Sequence, residues 1–334
     1  MRVGLLGYGI AGRVFHAPLI ASTAAMDLVA IVTANPERRA QARAEHPDAA
    51  IVTADELFAL DLDLVVVATP NRTHVEHAKR AIAKGVAVVV DKPFAPTSAE
   101  AEELVAAAEA AGVLLTVFQN RRWDSDFLTV REVLGKLGEV RRFESRFERW
   151  IPEIWDNWRE LGDPREAGGL LYDLGAHLVD QALQLFGPVR TVYAELDRRR
   201  PGAQVDDDVF VALTHANGVR SHLWANAHAA NHGPRFRVLG SEGAFEVDGL
   251  DGQEDALAAG HRPTGYGWGH EDRTGRLGVL GDTTEIAVEP GAYQNFYAEL
   301  RAGRVPVDPA GAVDALRVIE AAFTSARENR VVEL

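Results

Sequence analysis

Short runs of apolar, mostly β-branched residues recur through the first third of the chain, separated by stretches with helical spacing. Runs of this length that alternate with amphipathic segments are typical of βαβ units and a parallel sheet. The clearest helical segment covers residues 98 to 111, with Ser98 as the expected N-cap and Gly112 as the residue that ends the helix. The predicted strands are Val3 to Leu6, Leu28 to Val32, Leu64 to Ala68, Val86 to Val90 and Val113 to Val117.

The pattern changes after Arg122, where longer segments alternate between apolar and polar residues. Such alternation predicts antiparallel strands, two of which are joined by a turn at residues 215 to 218. Helical spacing returns at about Leu174 to Phe186 and Ala310 to Arg327, and the glycine-rich region 249 to 281 is predicted to be a long loop. The predicted strands are Arg141 to Arg149, Thr191 to Leu196, Val209 to Thr214 and Arg220 to Ala225.

These patterns predict an α/β protein with two domains, for which a chain of 334 residues is long enough. An N-terminal Rossmann parallel sheet forms a dinucleotide-binding domain over residues 1–121. A C-terminal α+β domain, with a mainly antiparallel and open-faced sheet, covers residues 122–334 and binds substrate. The C-terminal helix is free to pack back on the first domain. Because helices are available for only one face of the second sheet, we expect a homodimer or homotetramer that buries the other face.

Composition narrows the classes of partner. The formal charge of −14 repels phosphate backbones and anionic membranes, so we expect no nucleic-acid partner and no membrane partner. The chain has no cysteine, which excludes disulfides, thiolate metal ligands and cysteine nucleophiles. The apolar N-terminal stretch is too short for a signal peptide, and no apolar run approaches the ~20 residues of a membrane-spanning helix. The sequence therefore predicts a cytoplasmic protein.

A GxGxxG motif directly follows the first predicted strand and opens a predicted helix, which is the context that a dinucleotide site requires. Gly7 permits the tight turn, Gly9 lets the backbone approach a pyrophosphate, and Gly12 allows close helix packing. The free N–H groups and positive end of the helix then attract the phosphates. The alternative is a glycine-rich turn before an ordinary helix. The residues predicted to bind the cofactor here are Gly7, Tyr8, Gly9, Ile10, Ala11 and Gly12.

Residues after the second predicted strand bear on which dinucleotide binds. A carboxylate about 20 residues beyond the glycines normally binds the adenosine ribose, and none occupies this strand tip. Thr33 and Asn35 are able to hydrogen-bond a phosphate, and Arg38 or Arg39 to supply a charge-assisted contact. NADP therefore fits better than NAD. NAD stays open, because both arginines are equally expected on a solvated helix face.

Two polar groups outside the glycine motif suggest catalysis. Asp91, Lys92 and Pro93 follow the fourth predicted strand, at the edge where open α/β sheets bind ligands, so the Lys92 ammonium can stabilise negative charge on a substrate oxygen. Asp173 and His177 stand four residues apart and share one helix face. Histidine supplies a base for a hydroxyl proton near neutral pH. The alternatives are a surface lysine, and an N-cap aspartate beside a packed histidine.

Four motifs carry a resemblance to a known family: GYGIAGRVFHAPLI at the N-terminus, the tripeptide DKP, FQNRRWDSDF at 118 to 127 and GGLLYDLGAHLVDQ at 168 to 181. Together they resemble the glucose-fructose oxidoreductase/inositol dehydrogenase (Gfo/Idh/MocA) family. The similarity runs essentially end to end, and is greatest to the NADP-dependent scyllo-inositol dehydrogenase branch.

The resemblance implies roles for particular residues. Lys92 matches the lysine of the family's Glu-Lys-Pro motif, and Asp173 and His177 match its Asp-x-x-x-His pair, so these three are expected to be catalytic. Asp91 stands where the family usually has glutamate, which keeps the charge with one methylene fewer. Residues expected to line the cofactor are Thr69, Pro70, Asn71, His74, Asp91 and Lys92. Residues expected to contact the substrate are Arg121, Trp123, Tyr172 and His232. The alternative for Trp123 is a place in the hydrophobic core.

These features predict an NAD(P)-dependent oxidoreductase that acts on CH–OH groups. A secondary alcohol of a cyclic polyol or sugar is expected to give a hydride to the nicotinamide, while His177 accepts the proton and Lys92 stabilises the oxygen. The substrate favoured by the resemblance is scyllo-inositol or its inosose, and no metal is required. The alternatives are another sugar dehydrogenase, an aldose-type reductase, or a non-catalytic NAD(P)-binding sensor or co-repressor. A sensor has no need of all three catalytic residues.

Overall fold

The computed structural model describes residues 1–154, 158–160, 162–265 and 267–334. The chain forms two compact units, each assembled from segments that are separate in sequence. The first unit contains Met1–Asn120, Gly252–Trp268 and Ala292–Val313. The second contains Arg121–Asp251, Gly269–Gly291 and Asp314–Leu334. The first unit thus starts with nearly all of the predicted dinucleotide-binding domain and adds two later segments.

The strands and helices are numbered in chain order. The strands are β1 Arg2–Leu6, β2 Asp27–Val32, β3 Ala50–Val52, β4 Leu64–Val67, β5 Ala87–Asp91, β6 Leu115–Phe118, β7 Val140–Glu148, β8 Val189–Asp197, β9 Asp208–His215, β10 Arg220–Asn226, β11 Phe236–Gly240, β12 Ala244–Val247, β13 Thr274–Val279, β14 Asp282–Ala287 and β15 Val332–Glu333. The helices are α1 Ala17–Ser22, α2 Pro36–Glu45, α3 Ala54–Ala59, α4 His74–Ala83, α5 Ser98–Ala111, α6 Ser125–Val133, α7 Ala176–Phe186, α8 Gln253–Ala258, α9 Gln294–Arg301 and α10 Pro309–Glu328.

The first unit is built on a six-stranded sheet with the order β3-β2-β1-β4-β5-β6, in which every pair of neighbours is parallel. The central strands β1 and β4 are buried almost throughout, because helices cover both faces of a doubly wound sheet. This order is that of the Rossmann fold, and its carboxyl edge is where such sheets bind ligands. The predicted N-terminal Rossmann sheet is confirmed.

Two segments from late in the chain complete the first unit. The Thr116 hydroxyl on β6 donates to the carbonyl oxygen of Val307 at 2.7 Å. Phe118 packs its ring against Phe296 of α9, with ring centroids 4.8 Å apart. Buried contacts between residues about 180 positions apart are therefore part of this core.

The second unit is built on a nine-stranded sheet with the order β14-β13-β12-β11-β7-β10-β9-β8-β15. The pair β7 and β10 is parallel, and the other pairs are antiparallel. Buried and half-exposed side chains alternate along β9 and β10, as expected for a sheet with one covered face. Helix α7 packs against β7 and β10. The predicted α+β domain with a mainly antiparallel sheet is confirmed.

Two local predictions are wrong. Thr97 caps α5 in place of Ser98, because its side-chain oxygen accepts the backbone N–H of Glu100 at 3.2 Å. The glycine-rich region 249 to 281 is not one long loop, since it contains α8 and β13. Strand β13 is defined by its hydrogen bonds to β12 and β14, and its sequence lacks the alternation that would have indicated it.

Within the described ranges, none of the helices combines the length and the apolar character needed to span a bilayer. The same residues contain no group of three or more histidine, aspartate or glutamate side chains arranged to hold a metal ion.

Candidate active site

The glycine turn lies between β1 and the helical segment Ala11–His16. Gly7 has φ +101°, and a Cβ atom there would lie 2.2 Å from the carbonyl oxygen of Ala68, the residue after the neighbouring strand β4. A Cβ at Gly12 would lie 2.1 Å from the carbonyl oxygen of Gly7, so the helix packs directly on the turn. Both positions therefore exclude other residues, as the motif predicts.

Gly9 differs from the other two glycines, because a Cβ there would contact no protein atom closer than Nη1 of Arg38 at 3.7 Å. The space above Gly9 is therefore open on the protein side. Arg38 is exposed on the first turn of α2, and its guanidinium lies beside this opening. Open backbone next to a guanidinium fits a phosphate group of a dinucleotide.

The other residues of the turn differ in exposure. Tyr8 is buried, and its hydroxyl donates to the Glu45 carboxylate at 2.6 Å, which ties the turn to the end of α2. Burial and this hydrogen bond together raise the pKa of the Tyr8 phenol. Ile10 is exposed, and Ala11 begins the helical segment. Tyr8 thus holds the turn through its side chain, and any contact it makes with cofactor remains a prediction.

Residues at the tips of the neighbouring strands face the same edge of the sheet. Asn35 caps α2 by accepting the backbone N–H of Arg38 at 3.0 Å, which leaves its amide group as a donor. Thr33 is half-buried at the end of β2. Thr69, Pro70 and the buried Asn71 follow β4. The predicted cofactor residues therefore converge on the carboxyl ends of β1, β2 and β4.

His74 lies beneath these loops and is completely enclosed by protein. Its Nε2 contacts the carbonyl oxygen of Thr69 at 2.8 Å, and its Nδ1 contacts the carbonyl oxygen of Pro93 at 3.0 Å. Burial lowers the pKa of this imidazole, so the neutral form, with one N–H donor, is favoured. Each ring nitrogen faces a backbone carbonyl oxygen, and the single N–H of the neutral ring donates to one of them, so His74 links the loops after β4 and β5.

Asp91 ends β5, and the Lys92–Pro93 bond that follows is cis. Asp91 lies 3.8 Å from Nε2 of His16, a distance at which the contact is electrostatic and not a hydrogen bond. Burial alone would raise the pKa of the Asp91 carboxyl, but the His16 imidazole and the Lys92 ammonium outweigh it and hold the pKa below its ordinary value. Asp91 therefore provides a negative charge beside Lys92.

His16 connects this carboxylate to a tyrosine of α9. It is 0% exposed, and its Nδ1 lies 2.6 Å from the hydroxyl of Tyr297, which is also fully buried. The His16 ring packs on Phe118, with centroids 4.2 Å apart. Burial raises the pKa of Tyr297 well above its ordinary range, and the Asp91 charge adds to this, so the phenol stays neutral. A buried polar chain of three residues thus supports the strand end that carries Lys92.

In the second unit, Asp173 and His177 lie on consecutive turns of one helix. A π-helical segment, Leu171–Gly175, leads directly into α7. The backbone N–H of Asp173 already bonds the carbonyl of Gly169 at 3.0 Å, so Asp173 lies inside the helix and is not its N-cap. His177 is buried, and Asp173 is 30% exposed with a carboxylate oxygen 3.3 Å from Nε of Arg159.

Asp206 caps the N-terminal end of this helix, at Leu171. Its carboxylate accepts the backbone N–H of Leu171 at 2.7 Å, and a Cβ at Gly169 would lie 2.2 Å from the same carboxylate. Gly169 has φ +94°, so both its conformation and this close approach require glycine. Burial raises the pKa of Asp206 to about 6, and the neighbouring Asp207 acts in the same direction.

A second cluster in this unit surrounds the ring of Phe147. The guanidinium of Arg121 lies 4.8 Å from the ring centroid, that of Arg235 lies 4.0 Å away, and the His177 ring meets it edge-on at 6.5 Å. Gln181, one turn after His177, donates to the Arg121 carbonyl and accepts from Arg235. Burial lowers the pKa of Arg235 to about 10, so this side chain remains charged at neutral pH. Arg121 and His177 are thereby brought together.

The other predicted substrate residues are distributed differently. Trp123 is half-buried in the turn before α6. Tyr172 packs its ring against Phe323 of α10, with centroids 5.5 Å apart. His232 is exposed in the loop before β11. Their contacts with a substrate stay predictions.

Several residues of the site were missed in the sequence. Asp206, Arg235, His16 and Tyr297 lie far in sequence from the groups they support, so no local spacing connects them. His16 belongs to the quoted N-terminal motif, and Arg235 ends the loop that contains His232. The one local signal in the sequence was the glycine at position 169. A residue without a side chain leaves room for the Asp206 carboxylate to approach the backbone.

Comparisons with known proteins agree with this geometry. The model of the oxidoreductase family with an NAD-binding Rossmann fold matches residues 1–119, and the model of the Gfo/Idh/MocA C-terminal domain matches residues 127–246. The chain is 41% identical over 342 aligned positions to YdgJ, an uncharacterized oxidoreductase of Escherichia coli, covering 98% of this chain and 97% of that protein. It is 34% identical over 349 positions to IolW of Bacillus subtilis, a scyllo-inositol 2-dehydrogenase (NADP+), covering 100% and 96%.

The solved structure of YvaA from Bacillus subtilis superposes with a TM-score of 0.93 at 35% identity, covering 100% of this chain and 98% of that one. The fold and the site define an NAD(P)-dependent oxidoreductase with a Rossmann domain. The chain belongs to the Gfo/Idh/MocA family, and the resemblance drawn from its motifs is confirmed.

We expect the stability of the Asp206→Asn variant, relative to the parent protein, to increase with pH. The folded pKa of about 6 exceeds the unfolded value of 3.8, so the parent's carboxyl favours folding when protonated. That contribution is lost as the pH rises from about 4 through about 6. Asparagine carries no charge, so the difference between the two free energies of unfolding should grow by about 2 kcal/mol between pH 4 and 7.

Urea unfolding at a series of pH values measures this difference. The matched control is Asp282→Asn at an exposed position of β14. A difference that stays flat across the range for the Asp206 variant, or that grows equally in the control, would contradict the assignment.

Proposed function

We propose that the protein transfers a hydride between NADP(H) and a secondary alcohol or ketone of a cyclic polyol or sugar. The observation that supports this most strongly is the placement of Lys92, beside the ionised Asp91, on the same sheet edge as the open glycine turn. Because IolW is a scyllo-inositol 2-dehydrogenase, scyllo-inositol and its inosose are the first candidates for the substrate. Another sugar substrate of the same chemistry is the alternative, since the fold alone does not choose it.

The cofactor, when bound, supplies the atom that accepts or donates the hydride. The residues proposed to hold it are the glycine turn 7–12 and the strand tips at 33–38, 69–71 and 91–92. Lys92 donates a hydrogen bond to the substrate oxygen and stabilises the negative charge that develops there. Asp91 provides a negative charge next to the ammonium, and the buried chain behind Asp91 supports the strand end that carries Lys92.

Proton transfer is assigned to the second unit, which we propose to be the substrate-binding domain. His177 accepts the hydroxyl proton during oxidation and returns it during reduction. Asp173 accepts hydrogen bonds from substrate hydroxyls, and Arg159 holds the Asp173 carboxylate in position. Arg121, beside His177 at the Phe147 ring, is proposed to contact substrate, with Trp123 and Tyr172 as further contacts.

NADP is proposed as the preferred dinucleotide because of Arg38. Its guanidinium lies beside the opening at Gly9, and the tip of β2 offers no carboxylate that would repel a phosphate on the ribose. A guanidinium forms paired hydrogen bonds with phosphate oxygens, which gives preference as well as affinity. The NADP dependence of IolW supports this proposal.

We expect Lys92→Met and His177→Asn to lower kcat by about 10²–10⁴-fold, because each removes a group that acts on the reacting oxygen or its proton. NADP(H) turnover is followed by absorbance against a panel of inositols and aldoses. Lys84→Met, at the exposed end of α4, is the matched control and should keep its activity. Turnover within about twofold of the parent in both active-site variants would refute their roles.

Two variants of the cofactor site should have different effects. Gly9→Ala places a methyl group in open space, so the protein should fold normally yet lose about tenfold or more in affinity for both NADP and NAD. Arg38→Ala should weaken NADP binding by a similar factor and leave NAD binding within about twofold. Affinities are measured by fluorescence titration.

The control for these variants is Arg43→Ala, an exposed arginine on the last turn of the same helix. If Arg38→Ala and Arg43→Ala change the preference between NADP and NAD equally, Arg38 does not bind the phosphate on the NADP ribose. If Gly9→Ala binds both dinucleotides like the parent, the turn does not hold the pyrophosphate.

The open face of the second sheet is proposed to be buried in a homodimer or homotetramer. Phe210 and Trp224 pack on this face 5.2 Å apart, the Arg146 guanidinium lies 4.0 Å above Trp224, and Trp150 is 55% exposed while stacked on His228. Aromatic and arginine side chains of this kind are enriched at protein interfaces. Light scattering at micromolar concentration should give a multiple of 36.3 kDa, and a mass of one chain alone would contradict the proposal.

A further inference from the structure

Three arginines, Arg149, Arg159 and Arg200, line a cavity of the second unit that is also lined by Asp173. Arg149 follows β7, where its backbone N–H donates to the carbonyl of Asn226 at 2.8 Å and its carbonyl accepts from Ala229 at 3.0 Å. These bonds fix Arg149 between the ends of β7 and β10. The other wall is formed by Arg159, Leu174 and the start of the helix that carries Asp173.

Most charges in this cavity are already paired. Arg200, whose side chain is 4% exposed, contacts Glu160 and Asp207, each at 2.9 Å. Arg159 lies against the Asp173 carboxylate, and the Asp206 carboxylate accepts the N–H of Leu171. Within the described part of the chain, no carboxylate pairs with the guanidinium of Arg149.

An unpaired, half-buried guanidinium is unusual in a chain with 49 acidic and 35 basic residues. Partial burial removes some of its hydration, and a paired anion is the usual compensation. The guanidinium is rigid, always charged at neutral pH, and forms two parallel hydrogen bonds with a carboxylate or a phosphate. Arg149 therefore has the chemistry of a receptor for an oxyanion.

We propose that the natural substrate is a sugar or cyclitol derivative that bears an anionic group, and that Arg149 binds this group while Asp173 binds the hydroxyls near the reacting carbon. This inference rests on the proposed function, which places the substrate beside Asp173. A carboxylate and a phosphate are the two sources of the same oxyanion chemistry. The anionic group takes no part in hydride transfer, so its role is to select and orient the substrate.

The positive charge on Arg159 also favours an anionic substrate over a neutral one. Its pairing with Asp173 neutralises the carboxylate that would otherwise repel an anionic substrate, while the Asp173 oxygens remain acceptors for hydroxyl groups. The cavity thus combines acceptors for hydroxyls with one guanidinium for an anion. A neutral polyol would use only the first of these features.

Substrates that differ only in the anionic group separate the contribution of that group from the contribution of the hydroxyls. Glucose, glucuronate and glucose 6-phosphate differ at one carbon, and myo-inositol and an inositol monophosphate form a second set. The quantity measured is the ratio of kcat/KM for each anionic compound to kcat/KM for its neutral parent. We expect this ratio to exceed about tenfold for at least one anionic compound, and to fall as salt screens the charges.

Substitution of Arg149 tests the assignment. Arg149→Gln should lower the ratio by about tenfold or more, and Arg149→Lys should retain part of it because the charge remains. Arg141→Gln, on the preceding strand β7 with its side chain 70% exposed, is the matched control and should leave the ratio unchanged. A ratio unaffected by Arg149→Gln overturns the proposal, as does an equal loss for neutral and anionic compounds.

Direct binding distinguishes this inference from the proposed function. Calorimetric titration of the NADP-loaded protein with glucuronate and glucose 6-phosphate, compared with glucose, requires no turnover. If the parent protein binds an anionic sugar and Arg149→Gln does not, the inference holds even where every dehydrogenase assay fails. If neutral polyols are turned over and no anionic compound binds more tightly than its parent, the function holds and the inference is wrong.

Discussion

The parallel alignment of β1, β4 and β5 is the constraint on which the candidate site depends. Parallel strands end at the same edge of a sheet, so the turn after each strand meets the turns after its neighbours. Gly7 and Lys92 directly follow β1 and β5, and Thr69 lies two residues beyond β4, although Gly7 and Lys92 are more than 80 residues apart. Burial of the strands on both faces fixes their register, and the register in turn fixes the turns.

Buried carboxylates then hold the elements of the candidate site in position at a cost in stability. Asp91 remains ionised because His16 and Lys92 compensate for its burial, and the neutral Tyr297 completes the chain behind it. Asp206 is less well compensated, and its raised pKa reflects the free energy spent in closing the helix that carries Asp173. Such groups are typical of functional sites, where position matters more than stability.

Where a side chain's role depended on neighbours in sequence, prediction from sequence worked well. The glycine turn, the strand before Lys92 and the Asp173/His177 spacing were all visible, because strand and helix periodicity act over a few residues. The alternative of Asp173 as an N-cap was decided only by tertiary structure, through the long-range contact of Asp206 with Leu171. The short strand β3 and the strands β11 to β14 were missed, since their hydrogen bonds to neighbouring strands define them more than their composition does.

The sequence by itself determined the class of fold and the family, and it indicated the candidate site residues, because motif spacing and hydrophobic period are properties of a continuous segment. Only the tertiary structure decided what supports and surrounds those residues: the Tyr297 and His16 contacts behind Asp91, the cluster around Phe147, and the position of Arg149, which pairs with no carboxylate of the described residues, in the cavity that Asp173 also lines. These depend on contacts between residues brought together by folding. Burial and charge pairing arise from such contacts, and no local pattern encodes them.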